Sequence, residues 1–154
     1  VQDYSMDRAV IDWMQEYMEP QLDIVEFGSG TGTPRLTTAG HKVVSIEHDP
    51  KWVQEESILV PVENGWYSHD HLKPILQKNC DLIIIDGTPT KGSRDLIFEW
   101  YKLPEVESWF QKAVVIIDDT DSSLNGKPVL EKFIALGWKI MYNDNPRWTV
   151  IQWG

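Results

Sequence analysis

Leu82–Ile85 and Ala113–Ile117 are apolar at every position, with no polar residue to mark a solvent face. Such runs suit strands buried on both sides, which implies a parallel sheet covered by helices on each face. Both are far too short to cross a bilayer. The rest of the chain keeps alternating between short apolar runs and amphipathic stretches, the pattern of a βα fold. Asp23–Phe27 reads as strand one, Lys42–Glu47 as strand two, Ser57–Val62 as strand three, Asp81–Ile85 as strand four and Ala113–Ile117 as strand five. Val10, Trp13, Met14, Tyr17 and Met18 recur at spacings of three and four, so Met6–Met18 is expected to be a helix with one apolar face. Further helices are expected near Gly32–Ala39, briefly after Pro50, over His69–Lys78, over Ser93–Lys112 with a break at Pro104, and over Lys127–Leu136, closed by Gly137. Trp138–Tyr142 and Trp148–Trp153 are strand-like, and Asn143-Asp144-Asn145-Pro146-Arg147 between them is too short for a crossover helix. They read as a hairpin, so the sheet ends in an antiparallel strand.

The 154 residues suit one domain, spanning 1–154, that needs neither disulfides nor structural metal for its core. Asp and Glu outnumber Lys and Arg 24 to 14, a formal charge of −10 that repels phosphate backbones and anionic lipid. Neither nucleic acid nor a membrane surface is expected as a partner. The 8 Trp, 5 Tyr and 4 Phe argue for a packed core rather than disorder. Cys80 stands alone, which excludes a disulfide framework or a cysteine zinc site and suits a reducing, cytoplasmic setting. Gln2, Asp3 and Asp7 interrupt the region where the apolar core of a signal peptide would sit.

Function is concentrated after strand one, in Asp23-Ile-Val-Glu-Phe-Gly-Ser-Gly-Thr-Gly-Thr33. Gly28, Gly30 and Gly32 alternate between a strand and a helix, where glycine permits positive φ and a close approach of ligand to backbone. This edge of an open α/β sheet is where ligands bind. Fifteen residues past Gly32, strand two ends in Glu47, whose carboxylate can accept hydrogen bonds from both hydroxyls of a ribose. Together these features point to a nucleoside cofactor. The dinucleotide fingerprint Gly-x-Gly-x-x-Gly is not matched, because the loop is Gly-x-Gly-x-Gly with Glu26 two residues ahead.

In these residues the chain resembles the class I S-adenosylmethionine-dependent methyltransferases. Glu26, Gly28, Gly30 and Gly32 match that family's first motif, and Glu47 matches the acid ending strand two. The resemblance covers almost the whole chain. It implies an α/β fold, a three-layer α/β/α Rossmann-like sandwich with a seven-stranded, mostly parallel sheet of order 3-2-1-4-5-7-6 and a C-terminal antiparallel hairpin. It also implies that Gly28, Ser29, Gly30 and Gly32 lie against the methionine part of S-adenosylmethionine, that Glu47 holds its ribose, and that His48 lies beside the adenine edge. The turn Glu63-Asn64-Gly65-Trp66 would flank the adenine, with Asn64, Gly65 and Trp66 as contacts and Trp66 either stacked on the purine or buried as a turn aromatic. Tyr4 and Ser5 resemble a pair that some relatives place over the donor's carboxylate end.

Strand four ends in Asp86 and strand five in Asp118-Asp119, and both ends emerge on the glycine-loop edge of a parallel sheet. Asp86 is a candidate contact for the donor's amino group, or a general base for a substrate hydroxyl. Alternatively Asp86, Asp118 and Asp119 form an oxygen-rich Mg²⁺ site. Small metal-dependent O-methyltransferases carry Asp-Asn after strand five where this chain has Asp-Asp, so the match is incomplete. Asp118 and Asp119 also suit a third role, capping a following turn.

Other features carry less. His69-Asp70-His71 reads as a polar helix start with Asp70 as cap, since i and i+2 do not face each other on a helix. His41 is expected in a turn. Lys91-Gly92-Ser93-Arg94 is either an anion site or a solvated loop. Trp100, Trp109, Trp148 and Trp153 are expected mostly in the core, with some available for an acceptor pocket or a homodimer face. The expected activity is O-methyl transfer to a small hydroxylated molecule or sugar, because an acid-rich cleft suits hydroxyl activation. The alternatives are an aminopropyl-type transferase on the same scaffold and a non-catalytic module that binds the donor or a partner.

Overall fold

The computed structural model describes residues 8–28, 32–53, 55, 57–86 and 93–154. Tyr4, Ser5, Ser29, Gly30, Lys91 and Gly92 lie outside these. The sheet contains β1 (Asp23–Phe27), β2 (Lys42–Glu47), β3 (Ser57–Leu59), β6 (Leu82–Ile85), β7 (Val114–Asp118), β8 (Lys139–Tyr142) and β9 (Trp148–Gln152), while β4 (Val62–Glu63) and β5 (Trp66–Tyr67) form a separate hairpin. The strand order is β3-β2-β1-β6-β7-β9-β8, parallel from β3 through β7 and antiparallel at β9 and β8. With the small hairpin set aside, this is the expected order 3-2-1-4-5-7-6.

The apolar runs do what their lack of alternation requires. Ile24, Leu82, Ile84 and Ile116 pack on one face beneath α1 (Arg8–Tyr17) and α2 (Gly32–Thr38). Val25, Phe27, Ile83, Ile85, Val115 and Ile117 pack on the other, beneath α4 (Ile97–Tyr101), α5 (Pro104–Gln111) and α6 (Gly126–Ala135). Successive strand residues point to opposite faces, so one strand serves two cores. Among the described residues no helix is long and apolar enough to cross a membrane.

Three expectations need correction. Strand three stops at Leu59, and Val62 turns away to pair with Tyr67 in the small hairpin. Its turn residues Asn64 (φ 56°) and Gly65 (φ 84°) both take positive φ, the requirement of a tight hairpin whose twist matches its strands. The helix expected over His69–Lys78 is α3 (His69–Leu72) followed by a 3₁₀ turn over Lys73–Gln77, since Pro74 has no N–H for the helical ladder. Its cap is Ser68, not Asp70: the Ser68 hydroxyl accepts from the His71 N–H and lies 2.8 Å from the His71 ring Nδ1. The third concerns His41, which is buried rather than in an open turn. Its Nδ1 accepts the Leu22 N–H at 3.1 Å, and burial lowers its pKa below 6.5.

The helix-end signals were sound. Gly137 (φ 106°) ends α6 with its N–H on the Ile134 carbonyl, and Pro104 opens α5. Gly126, at the start of α6, is the tightest point: a Cβ there would stand 2.1 Å from the Asp118 carbonyl oxygen and 2.6 Å from the Asp119 carbonyl carbon. Both obstacles are backbone. Gly126→Ala is therefore expected to lose about 1–3 kcal/mol of stability in urea unfolding, because the helix must move off the β7 exit.

His41 adds a pH dependence. Its folded pKa lies below the unfolded one, so its contribution is complete above about pH 6.5 and is lost as the unfolded chain takes up a proton the folded chain refuses. The urea midpoint of the native chain should fall more between about pH 7.5 and 5.5 than that of His41→Asn.

Candidate functional site

Strand register builds the site. Ile46 pairs with Phe27, Phe27 with Ile85 and Ile85 with Ile117, a single row across four parallel strands. The next residue on each strand is Glu47, Gly28, Asp86 and Asp118. Backbone bonds carry the register into this row: the Gly28 N–H donates to the Ile46 carbonyl (2.8 Å) and the Asp86 N–H to the Phe27 carbonyl (2.9 Å). Neighbouring strands lie about 4.8 Å apart, so Glu47 and Asp86 flank Gly28 from strands about 10 Å apart. Gly28, at φ 100°, contributes no side chain to the gap.

Glu26 stands one pleat below, 1% exposed. The hydroxyls of Thr33, at the start of α2, and Ser45, on β2, both donate to its Oε1, at 2.5 and 2.8 Å. Glu26 thus joins both ends of the glycine loop to β2. Gly32 is the first residue of α2. Glu47 is held by its own chain, with the N–H groups of His48 and Asp49 donating to Oε2 at 2.9 Å each. The His48 ring meets the Tyr67 ring edge-on at 6.3 Å, and its Nδ1 lies 3.0 Å from Glu47 Oε2.

The hairpin turn borders a cleft that none of Glu47, Gly28, Asp86 and Asp118 lines. Asn64 and Trp66 line this cleft of about 440 Å³ together with Tyr67, His69, Leu96 and Lys102. The Trp66 indole, on β5, is 2% exposed and packs on Phe27 and Tyr67 at 5.8 and 4.9 Å between ring centres. Gly65 is pinned from outside by Ser93, whose hydroxyl donates to its carbonyl.

Asp86, Asp118 and Asp119 do converge: one carboxylate oxygen from each lies within 4.8 Å of the others. Asp118 is 1% exposed, and neither of its oxygens has a hydrogen-bond partner among the described residues; the same holds for Asp86 Oδ1. Burial first, and the facing Asp118 carboxylate second, push the Asp86 pKa well above the usual carboxylate range. Burial raises Asp118 as well. Buried, unpartnered oxygens of this kind suit an oxygen-seeking cation such as Mg²⁺, with waters completing its shell.

Sequence reasoning missed two residues. Arg94 is neither an anion site nor a solvated loop residue. It is buried, with Nη1 donating to the Asp118 carbonyl at 2.9 Å and Nη2 paired with Asp119 Oδ2 at 3.3 Å. The signal was present: Arg94, Ile97 and Tyr101 share one helical face at spacings of three and four, and both apolar partners belong to the core. Tyr67 is the other. It is buried within the electrostatic reach of Glu47, Asp86 and Glu26, which together with desolvation raise its pKa.

No protein-family model and no curated protein matches the sequence. Solved structures do match. The methyltransferase MycE from the mycinamycin biosynthetic pathway, in complex with Mg, SAH and mycinamycin VI, superposes with a TM-score of 0.58 and 12% identity, over 96% of this chain and 49% of its own. A TDP-rhamnose 3′-O-methyltransferase of calicheamicin biosynthesis gives 0.57 and 14%, over 96% of this chain and 76% of that one. The ribosomal protein L11 methylase from Lactobacillus delbrueckii subsp. bulgaricus gives 0.55 and 14%, over 97% and 80%. This chain spans about half the length of MycE. It has the Rossmann-like fold of the class I S-adenosylmethionine-dependent methyltransferases.

Proposed function

We propose that this chain binds S-adenosylmethionine and transfers its methyl group to a hydroxyl of a small molecule or sugar. The observation that carries the reading is the row Glu47, Gly28, Asp86, Asp118: two carboxylates flanking a position with no side chain, and a third beside them. When bound, the donor supplies a methyl group activated by a sulfonium sulfur. Gly28, Ser29, Gly30 and Gly32 admit its methionine part close to the backbone. Tyr4 and Ser5 are proposed to cover its carboxylate end. Glu47, already oriented by two amides, has acceptor capacity suited to paired ribose hydroxyls. His48 and the turn Asn64, Gly65 and Trp66 are proposed to border the adenine, with the buried Trp66 backing the turn.

Asp86 has the environment of a proton acceptor. Burial keeps its basicity high, which improves a carboxylate as general base for a hydroxyl at neutral pH. In the metal-assisted form, Asp86, Asp118 and Asp119 would hold Mg²⁺, which would supply the charge that acidifies the hydroxyl. Two of the similar structures support the acceptor class, since one contains mycinamycin VI and another is named for O-methylation of TDP-rhamnose. The L11 methylase points to a protein acceptor instead, and a direct assay of both classes separates them.

Calorimetric titration with S-adenosylmethionine, S-adenosylhomocysteine and NAD, with and without Mg²⁺, tests the scaffold. Binding of the first two and silence from NAD is expected, and Glu47→Ala should weaken that binding by about 1–3 kcal/mol, the scale of hydrogen bonds to a charged group. An unchanged dissociation constant removes Glu47 from the ribose.

Asp86→Asn separates chemistry from binding. Turnover on a hydroxylated acceptor should fall by about 10²-fold or more while donor affinity changes little. Equal losses would make Asp86 a donor contact only. If EDTA abolishes wild-type turnover and Mg²⁺ restores it, the metal-assisted form holds; indifference to EDTA leaves Asp86 as the base.

A further inference from the structure

Arg94 reaches neither solvent nor the open cleft. Its side chain is 6% exposed, and its Nε is buried without a hydrogen-bond partner among the described residues. Taking a guanidinium out of water costs several kcal/mol, so its placement has to be offset by what it holds. One fork of the side chain holds two unlike acceptors: the Asp118 backbone carbonyl at 2.9 Å and the Asp119 carboxylate at 3.3 Å. Gly126 packs close to the same carbonyl, and its N–H donates to the Asp119 carbonyl at 3.1 Å. Asp119 itself takes φ 59°, a conformation that swings its side chain out of the strand direction. The β7 exit is thus held by both a helix start and a guanidinium.

A second observation gives this clamp an object. Among the described residues both carboxylate oxygens of the buried Asp118 and Oδ1 of Asp86 lack hydrogen-bond partners, and one oxygen of each of Asp86, Asp118 and Asp119 lies within 4.8 Å of the others. With all three carboxyls ionised around a cation, they and the guanidinium would carry a formal charge of −2, which a single divalent cation neutralises.

We propose that Arg94 is the positioning residue of this corner: its planar fork locks the Asp119 carboxylate to the Asp118 backbone, so that the three acids face one divalent cation. The proposal deepens the metal-assisted form of the reading above and rests on it. Arg94 acts through Asp119 and touches neither donor nor acceptor. Its geometry matters as much as its charge. Lysine would keep the charge but, as a point donor on a flexible stem, would not hold a carbonyl and a carboxylate in one plane.

The test uses the full chain and Arg94→Lys, with Mn²⁺ binding read by electron paramagnetic resonance, S-adenosylhomocysteine binding by calorimetry, and the melting temperature. In Arg94→Lys, Mn²⁺ affinity is expected to fall by about tenfold or more, the usual effect of losing an outer partner of a metal ligand. S-adenosylhomocysteine affinity should stay within about twofold, less than 0.5 kcal/mol. Unchanged Mn²⁺ affinity overturns the proposal, and so does a parallel fall of both affinities with the melting temperature, which a merely structural arginine would give. Failure of the wild-type chain to bind Mn²⁺ while it binds S-adenosylhomocysteine also overturns it and leaves the methyl-donor reading intact. Arginine-dependent Mn²⁺ binding without S-adenosylhomocysteine binding supports it and sinks the donor reading. Should Arg94→Lys not fold, ¹⁵N spectra of the arginine guanidinium groups in the wild-type chain replace it. A shift of the buried Arg94 signals on adding Mg²⁺ supports the proposal, and their indifference overturns it.

Discussion

Parallel register between β2, β1, β6 and β7 is the constraint from which the site follows. Because Ile46, Phe27, Ile85 and Ile117 pair across the sheet, the residues that follow them share one row at the carboxyl edge. A one-residue slip of any strand would turn its acid to the opposite face, since side chains alternate with a period of two. The backbone bonds of the row oppose that slip, since the apolar cores alone would accept it in β6. Shifting β6 by one residue would still present isoleucine to both faces, but it would move Asp86 off the row and break the Asp86 N–H bond to Phe27. The buried sheet therefore fixes the placement of groups that contribute nothing to the core themselves.

The acids along this edge differ in how far the protein satisfies them. Glu26 takes two hydroxyls and Glu47 two amides, so both are oriented before any ligand arrives. Asp86 and Asp118 face each other, and among the described residues Asp86 Oδ1 and both Asp118 oxygens are buried without a hydrogen-bond partner. An unmet buried carboxylate is costly, and a fold with a spare arginine nearby would ordinarily spend it there. Instead Arg94 turns to the Asp118 carbonyl and to Asp119. The two carboxyls that sit beside Gly28 and its neighbour thus receive no side-chain ion pair among the described residues, and it is these that a ligand would relieve.

Most of the fold was legible because its signals are local. Continuous apolar runs gave the central strands within a residue, Gly137 and Pro104 marked helix boundaries, and the turn-rich Asn143–Arg147 segment marked the final hairpin. The site acids Glu47, Asp86, Asp118 and Asp119 were legible for a related reason: each is the last residue of a strand or the next one along. What local pattern did not reveal was tertiary. Nothing before Leu59 announces that β3 ends there and that Val62 pairs with Tyr67. His41 reads as an ordinary turn residue until the Leu22 N–H is seen to need an acceptor. Arg94 was misread because its neighbours Lys91, Gly92 and Ser93 suggest a loop, whereas its helical spacing to Ile97 and Tyr101 fixes its direction.

The departure from Asp-Asn to Asp-Asp after strand five has a physical reading in this structure. An asparagine at position 119 would still offer an oxygen to a cation, but it would meet Arg94 as a neutral amide. With aspartate there, the ion pair returns part of the cost of burying the guanidinium, and the guanidinium in turn lowers the repulsion among three acids. Asp119 and Arg94 are therefore best understood as one unit, with the half-buried carboxylate offsetting part of the cost of the buried guanidinium. On this view the chain can hold a third negative charge at its sheet edge because β7 exits beside a buried arginine, and the Asp-Asp pair is no simple lapse from a shared pattern.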